Sequence, residues 1–417
     1  MTENNAEHRV IIHADANAFF ASVEQAANPD LRGKAIAVVG SAGRTVITTS
    51  SYEARAKGVK TGMALWEARR CCPELIVVVG DNKKYQHTSS EVNKIFLEYT
   101  PLVEAFSIDE SWLDVTHSLS IYESAENIVY QIKARILHRF GIRFSMGIAP
   151  NKLLAKLVSD FQKPDGLTVL KHEDVARVLE RLPVGELCGV GKKTAAQLRL
   201  MSINTCGELG RCDETRLTRK FGIVGKKLKE MGQGIDNSPV VPFNAVEDVV
   251  KSVGHSRTLE KDISDPVEIK RFLLQLSEMV GSRARRYDVA GKTISLYVRY
   301  SDFFTSWGKQ TTLTNHTNQT EDIYRAAIKI LATTDLEQSV RLLGISLGNL
   351  RQEQEQLPLF VEDRKKLEAT KAMDAVNRRF GDMVVTYGSL IKDKEKAGSH
   401  VIPPSWRPNG IKSIDTK

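Results

Sequence analysis

Apolar residues follow two different spacings along the first 166 residues of the chain. Short apolar runs that predict buried strands occur at 10–15, 102–108, 111–115 and 143–148. Between them, apolar residues recur at helical spacing near 81–98, 124–140 and 151–161. We expect Pro150 at the first position of the last helix, where the missing N–H of proline costs nothing. Strands separated by helices predict a mixed sheet of the α+β class.

Residues 16–78 form an insertion between the first strand and the rest of that sheet. Short strands are predicted within it at 35–39 and 46–49, and another follows at 75–79. A short helix should begin at Ser51 and end at Gly58, because serine caps helix starts and glycine ends helices.

The second half of the chain has a different pattern. Short helices and glycines follow Leu167, and Gly, Asn and Pro residues within 232–244 predict a linker, which we place at 236–248. A second α+β unit is predicted, with helices near 266–286 and 320–333 and strands near 251–259, 293–300 and 340–347. A last helix is predicted at 362–380, and the end of the chain should be flexible.

Composition narrows the class of protein. The 417 residues carry a net charge of +8, which favours a polyanionic partner, nucleic acid first and an anionic membrane surface second. No apolar run is long enough to cross a membrane, and the polar, acidic start does not resemble a signal peptide. The five cysteines form no C-x-x-C pair, so we expect buried free thiols in a reducing cytosol.

Three carboxylates are the main candidates for chemistry. Asp109 and Glu110 lie at a predicted bend between two strands, where both side chains can reach one point. Asp15 follows the first strand of the same sheet. Alone, the acid pair is more often a solvated hairpin tip. Three converging acids need cations, and two divalent metals at a phosphoryl displacement would use all of them.

A second group of residues suits phosphate. Thr49, Tyr52 and Arg55 recur at three-residue spacing, and their hydroxyl, phenol and guanidinium groups could grip a phosphate from one face. Lys163, just after the helix at 151–161, is a further candidate. The alternative is a surface helix with an arginine lying over a tyrosine, and an ordinary surface lysine.

Two glycine turns followed by paired lysines predict a nucleic-acid contact. The first has Gly189 and Gly191 before Lys192 and Lys193, and the second, at 221–227, ends in Lys226 and Lys227. In a helix-hairpin-helix, the N–H groups of such a turn face a DNA phosphate, which positions a protein without reading sequence. The polar face predicted for the strand at 293–300 could also lie against DNA, or simply against water.

An apolar peptide interrupts the polar tail. It is formed by Gln356, Leu357, Pro358, Leu359 and Phe360. Such a segment is expected to bind a partner; the alternative is that it docks on its own domain.

These residues together resemble the Y-family, or translesion, DNA polymerases, in particular the bacterial DNA polymerase IV (DinB) type. The resemblance spans about residues 9–350 and rests on motifs in the family's order: DANAFFASVE at 15–24, SYEAR at 51–55, SIDE at 107–110, GIAPNK at 147–152, GVGKK at 189–193, KSVG at 251–254 and RLLGI at 341–345.

The resemblance implies a right-hand polymerase of α+β class. Its expected parts are a mixed-sheet palm (1–15 and 79–166), small fingers (16–78), a helical thumb with helix-hairpin-helix motifs (167–235), the linker (236–248), an α+β little finger (249–350) and a flexible tail with a clamp-binding peptide (351–417). It also implies low-fidelity, template-directed lesion bypass without a proofreading exonuclease.

The resemblance also assigns roles to residues. Asp15, Asp109, Glu110 and the carbonyl of Ala16 would hold two Mg²⁺, with Mn²⁺ as a substitute. The incoming dNTP would be gripped by Thr49, Tyr52, Arg55 and Lys163, and Phe20 would be the steric gate against ribose. Residues 356–360 resemble a sliding-clamp peptide. The expected partners are primer-template DNA, dNTP and the clamp, and the protein should be a monomer in the bacterial cytoplasm.

Two other classes of function compete with the polymerase. A nucleotide cyclase could use the same acid geometry on a similar palm, although the paired lysine turns and the tail peptide argue against it. A catalytically silent DNA-binding or scaffold protein is the other alternative, and the presence of all three acids argues against that.

Overall fold

The computed structural model describes residues 9–40, 44–242, 250–352, 360–381 and 383–391. They divide into two compact units, one formed by 9–40 with 45–242 and the other by Arg44 with the described residues between 250 and 391. Among the described residues, none of the helices combines the length and the apolar character needed to cross a bilayer.

The first unit contains eight strands and twelve α-helices among its described residues. In chain order they are β1 (Ile11–Ala16), α1 (Phe19–Ala27), β2 (Ile36–Val39), β3 (Ile47–Ser50), α2 (Tyr52–Ala56), α3 (Leu65–Cys71), β4 (Ile76–Val79), α4 (Asn82–Leu97), β5 (Val103–Ala105), β6 (Glu110–Asp114), α5 (Leu119–Tyr122), α6 (Ala125–Phe140), β7 (Phe144–Ala149), α7 (Lys152–Ser159), β8 (Leu167–Val169), α8 (Val175–Arg181), α9 (Lys192–Leu200), α10 (Cys206–Arg211), α11 (Glu214–Phe221) and α12 (Val224–Gly232).

A five-stranded sheet, ordered β5-β6-β1-β7-β8, carries the predicted acids. Because side chains alternate along a strand, β1 turns Ile12 and Ala14 to one face and His13 and Asp15 to the other. Ile12 and Ala14 belong to a core shared with α4 and α6. The opposite face is covered by α7, so Asp15 lies on the α7 side of the sheet.

Helix α7 can lie against the sheet because β7 contains a glycine. A Cβ atom on Gly147 would be only 2.3 Å from the carbonyl oxygen of Ala155. The helix begins one residue later than predicted: its N-cap is Asn151, whose side chain accepts a hydrogen bond from the N–H of Leu154. The prediction of Pro150 at the first helical position is therefore wrong, since proline precedes the cap.

The insertion forms its own three-stranded sheet, ordered β3-β2-β4. Ser51 caps α2 through its side chain, and Gly58 has a φ of 89°, so the predicted start and stop of this helix are confirmed. The cysteines only partly follow their prediction. Cys72 and Cys206 are buried free thiols, whereas Cys71 is exposed.

The second unit contains β9 (Ser252–Ile263), α13 (Pro266–Arg286), β10 (Val289–Tyr300), β11 (Ser306–Thr317), α14 (Thr320–Leu331), β12 (Val340–Gln352) and α15 (Val361–Phe380). Its antiparallel sheet has the order β11-β10-β12-β9, and α13 and α14 pack on it. Ile294, Leu296 and Val298 are fully buried, which confirms the predicted apolar face of β10. Strand β11 was not predicted, because polar residues occupy both of its faces.

The last described helix is attached to the second unit by a buried ion pair. Arg285 on α13 donates to both carboxylate oxygens of Asp374 on α15, at 2.6 and 3.0 Å. Only 8% of the Arg285 side chain and 13% of the Asp374 side chain are exposed. Within the predicted flexible tail, the helix at 361–380 is thus packed on α13, and residues 392–417 lie outside the described part of the chain.

Candidate active site

Asp15 and Glu110 are direct neighbours on adjacent strands. Strands β1 and β6 pair antiparallel with Asp15 opposite Glu110, and such cross-strand side chains are within contact distance. Burial, followed by the neighbouring carboxyl group of Glu110, raises the pKa of Asp15 to about 7. A raised pKa means that the neutral form of Asp15 is favoured in these surroundings when no divalent cation is bound.

Asp109 completes the group from the bend that precedes β6. The N–H of Ala16 donates to the carbonyl oxygen of Asp109 at 3.0 Å, which fixes the bend beside the end of β1. The Ser107 hydroxyl donates to the Asp109 carboxylate. Burial raises the pKa of Asp109, Ser107 opposes this shift, and the nearby charge of Glu110 adds to it.

Two lysines already neutralise these acids. Lys156 on α7 donates to Oε2 of Glu110 at 2.7 Å, and Lys163 donates to Oδ2 of Asp15 at 2.8 Å. Lys163 also pairs with Asp160 at 2.6 Å. Burial alone would lower the pKa of Lys163, but these carboxylates outweigh it and raise that pKa to about 12.

Lys156 was not predicted from the sequence, although a signal was present. It is a lysine within an apolar helical run, with Leu153 and Leu157 buried on either side. Its ammonium group also lies 4.9 Å from the ring centre of Phe106. A lysine at such a position requires a buried anion, and only the packing of α7 shows that this anion is Glu110.

His13 is a second buried group that the sequence did not single out. It is fully buried on the same face of β1 as Asp15, and its Nδ1 hydrogen bonds to the Ser159 hydroxyl at 2.9 Å. Its Nε2 has no partner among the described residues. Burial, followed by the charges of Lys156 and Lys163, holds the pKa of His13 well below its usual value, so the ring is neutral.

The donor set fits hard divalent cations, although the side chains are not arranged around one. Nowhere in the described ranges do three His, Cys, Asp or Glu side chains meet in coordinating geometry. The acids nevertheless supply only oxygen donors, which Mg²⁺ prefers, and Glu110 and Asp15 are each paired with a lysine ammonium group. A divalent cation would replace these ammonium groups as the counter-charge of the acids.

Of the predicted phosphate ligands, Lys163 contacts Asp15 directly, and Tyr52 lies within range of the charges of Asp15 and Lys163. The Tyr52 hydroxyl is buried near Asn17 without a well-formed hydrogen bond, and burial raises the pKa of Tyr52. The Arg55 guanidinium lies 5.0 Å from the Tyr52 ring centre, and its Nε donates to the Ser50 carbonyl oxygen. Thr49 is half-buried on β3.

Phe20 lies at the start of α1 and is half-buried. Its ring stacks on Tyr85, with 4.4 Å between the ring centres. Tyr85 in turn donates to Glu24 at 2.6 Å. Tyr85 therefore packs against one face of the Phe20 ring, and the hydrogen bond to Glu24 fixes the position of Tyr85.

The first predicted glycine turn has the expected geometry. Gly189 has a φ of 97°, which is unfavourable for other residues, and Gly191 is the N-cap of α9. Lys192 and Lys193 follow in the first turn of α9, and both are exposed. Lys192 and Lys193 therefore lie at a helix N-terminus, where the first main-chain N–H groups have no partner within the helix.

The second turn differs from its prediction. Gly222, with a φ of 65°, makes the turn between α11 and α12, whereas Gly225 lies inside α12. A Cβ on Gly225 would come within 2.5 Å of the main chain of α11, so this glycine permits close helix packing. Lys226 is exposed, but Lys227 forms an ion pair with Asp236 at 3.2 Å.

The predicted tail peptide is mostly outside the described residues. Gln356, Leu357 and Leu359 are not described, and Phe360, which is 73% exposed, is the N-cap of α15.

Family models and a solved structure match most of this chain. The impB/mucB/samB family matches residues 14–160, its C-terminal domain matches 250–359, and the HHH motif of the IMS family matches 172–201. A solved Y-family DNA polymerase chimera is 26% identical and covers 82% of this chain and 98% of its own, with a TM-score of 0.72.

Two curated relatives are similar over nearly their whole length. DNA polymerase IV 1 of Bacillus subtilis is 40% identical over 397 residues, which are 93% of this chain and 94% of that protein. DNA polymerase IV of Clostridium kluyveri is 40% identical over 405 residues, which are 92% of this chain and 99% of that protein.

The fold and the matches define the class as a DNA-directed DNA polymerase. Within this class, the chain belongs to the Y family of translesion polymerases. The expected fold class is confirmed, with its mixed sheets, its HHH segment and its separate C-terminal sheet domain, the little finger. Y-family polymerases require divalent metal ions. The nucleotide cyclase is thus not supported.

Proposed function

We propose that the site adds dNTPs to a primer 3′-hydroxyl, with Asp15, Asp109, Glu110 and the Ala16 carbonyl holding two Mg²⁺, or Mn²⁺ in their place. The observation that carries this proposal is the cross-strand placement of Asp15 opposite Glu110, each paired with a lysine. When bound, the metals would activate the 3′-hydroxyl and stabilise charge on the triphosphate.

The residues of the chain supply positioning and charge. Lys163 and Arg55 would bind phosphate oxygens, because charge-assisted contacts are the strong ones. The buried Tyr52 hydroxyl would donate to a further phosphate oxygen, and Thr49 would contact the same group. Phe20, supported by Tyr85, would occupy the space that a ribose 2′-hydroxyl needs.

DNA would be held by the N–H groups at Gly189 and Gly191 and by Lys192, Lys193 and Lys226. Lys227, whose side chain is 49% exposed, would join them after leaving Asp236. These contacts would bind backbone phosphates, which carry no sequence information. They would therefore support synthesis on any template sequence. Low-fidelity lesion bypass without proofreading follows from the same family assignment.

The remaining proposals concern partners and compartment. Gln356, Leu357, Leu359 and Phe360 would bind a replication sliding clamp, and the exposed ring of Phe360 supports this. We also propose a monomer in the bacterial cytoplasm. The domain limits are proposed as predicted: palm 1–15 and 79–166, fingers 16–78, thumb 167–235, linker 236–248, little finger 249–350 and tail 351–417.

Primer extension with Asp109→Ala tests the chemistry. We expect extension to fall by at least about a thousandfold, because a metal ligand is lost, while affinity for primer-template stays within about twofold. Asp30→Ala, which removes an exposed acid of the same unit, is the matched control. Extension by Asp109→Ala at a near-normal rate would refute the proposal.

A further inference from the structure

A tryptophan on the insertion is unusually exposed. Trp66 lies in the first turn of α3 with 64% of its surface accessible, although tryptophan is normally highly buried. The same helix turns Ala68 into the local core, which does not include Trp66. The indole therefore contributes little to folding of the insertion, and its surface is available to a partner.

The surroundings of Trp66 are basic. The Arg70 guanidinium lies 5.9 Å from the indole ring centre, a cation–π arrangement. Arg69 and Lys60 are exposed close by in the chain, whereas Glu67 is the one acid of α3. An aromatic plane with cations beside it matches the chemistry of single-stranded nucleic acid, whose bases stack and whose phosphates are anionic.

The fold connects Trp66 to the proposed nucleotide site through β3. Ala64, the N-cap of α3, forms a bridge with Val46, and the N–H of Ile47 donates to the Met63 carbonyl oxygen at 2.8 Å. From Val46, β3 leads to Thr49 and then to Tyr52. Val46 and Thr49 are three residues apart, or about 10 Å. Trp66 thus lies beyond the end of β3 that is farther from the proposed phosphate ligands.

We propose that Trp66 and Arg70 form a stacking site for the unpaired template strand, just ahead of the base pair being formed. The indole stacks on one template base, and Arg70 and Arg69 contact the adjoining phosphates. This inference rests on the proposed function, because it needs a template beside the dNTP. The proposed contact binds the single-stranded template and contributes nothing to binding of duplex DNA.

Two DNA substrates and three variants test the proposal. The DNAs share one duplex, and only one of them carries a single-stranded 5′ template overhang. By fluorescence anisotropy at fixed salt, we expect Trp66→Leu to bind the overhang DNA about tenfold more weakly and the blunt DNA normally. Trp66→Phe, which keeps an aromatic plane, should remain within about threefold of the parent. Tyr130→Leu, at a 61% exposed aromatic on α6, is the matched control.

Tryptophan fluorescence gives a second readout. The overhang DNA should quench the parent protein more than Trp66→Phe, since a stacked indole loses emission. Equal losses on both DNAs, an unchanged Trp66→Leu, or a Trp66→Phe as weak as Trp66→Leu would each overturn the inference. The inference would also be overturned if Trp66→Leu bound both DNAs normally but no longer bound a protein partner. Primer extension by the parent protein separates the two proposals. If the parent extends primers in any of these cases, only the stacking site is refuted. If it does not, the proposed polymerase function is refuted as well.

Discussion

Lys163 donates a hydrogen bond to Oδ2 of Asp15 at 2.8 Å, although the two residues are 148 positions apart. The same lysine is a proposed triphosphate ligand, and the same aspartate is a proposed metal ligand. In the ion pair, Lys163 therefore takes the place of a metal ion beside Asp15. Asp15 takes the place of a phosphate beside Lys163. Arrival of a metal–dNTP complex would exchange the ion pair for a Lys163–phosphate contact and an Asp15–metal contact.

Lys163→Gln should weaken nucleotide binding. Loss of one charge-assisted phosphate contact is expected to raise the apparent Kd for dNTP about tenfold, with little change in affinity for primer-template. The measurement is the dNTP dependence of single-nucleotide incorporation. Lys171→Gln, at an exposed lysine of the same unit, should behave like the parent. An unchanged dNTP dependence in Lys163→Gln would remove the assignment of Lys163.

The raised pKa of Asp15 predicts a pH-dependent stability. Burial and Glu110 raise this pKa from 3.8 to about 7, so the folded state binds the proton more tightly than the unfolded state. Stability from this group is therefore present at low pH and is lost as pH rises through 7. In metal-free buffer, Asp15→Asn should gain stability relative to the parent between pH 5 and pH 8.

Denaturant unfolding at both pH values measures this gain. Glu98→Gln removes an acid from an exposed ion pair with Arg135 and serves as the control. If the difference between Asp15→Asn and the parent is the same at pH 5 and pH 8, Asp15 is not titrating as its surroundings indicate.

Gly147→Ala should disturb the packing of α7. The added methyl group would lie 2.3 Å from the Ala155 carbonyl oxygen, so the helix must move, at a cost of about 1–3 kcal/mol. The same movement would displace Lys156 from Glu110 and slow incorporation. Thermal unfolding and primer extension test both effects. Gly40→Ala, where a Cβ meets no atom within 4 Å, should change neither.

Asp374→Asn should loosen α15. The buried Arg285 would lose a two-point contact, which we expect to cost about 2 kcal/mol, and Glu278 at 3.7 Å would remain as a weaker partner. Hydrogen exchange in α15 should therefore accelerate. Glu321→Gln breaks an exposed pair with Arg325 and should cost about 0.5 kcal/mol or less. Unchanged exchange in Asp374→Asn would show that other contacts hold the helix.

Local patterns in the sequence were sufficient to predict the positions of several strands and helix caps. The strand pattern placed Asp15 at the end of β1 and Asp109 at a bend, because strand periodicity depends only on neighbours in the chain. Caps such as Ser51 were predictable for the same reason. Strand β11 was missed because a strand with polar residues on both faces has no hydrophobic period, and its place depends on pairing with β10.

The sequence by itself determined the family and the strand that carries Asp15, since the first is written in short motifs and the second in the apolar run of a single segment. Only the tertiary structure decided which cations meet the acids of the site, that Gly225 serves helix packing, and that Trp66 is exposed. These features depend on side chains brought together from distant segments, as with Lys156 and Glu110, which lie 46 positions apart. Packing between elements determines such contacts, and local periodicity carries no information about them.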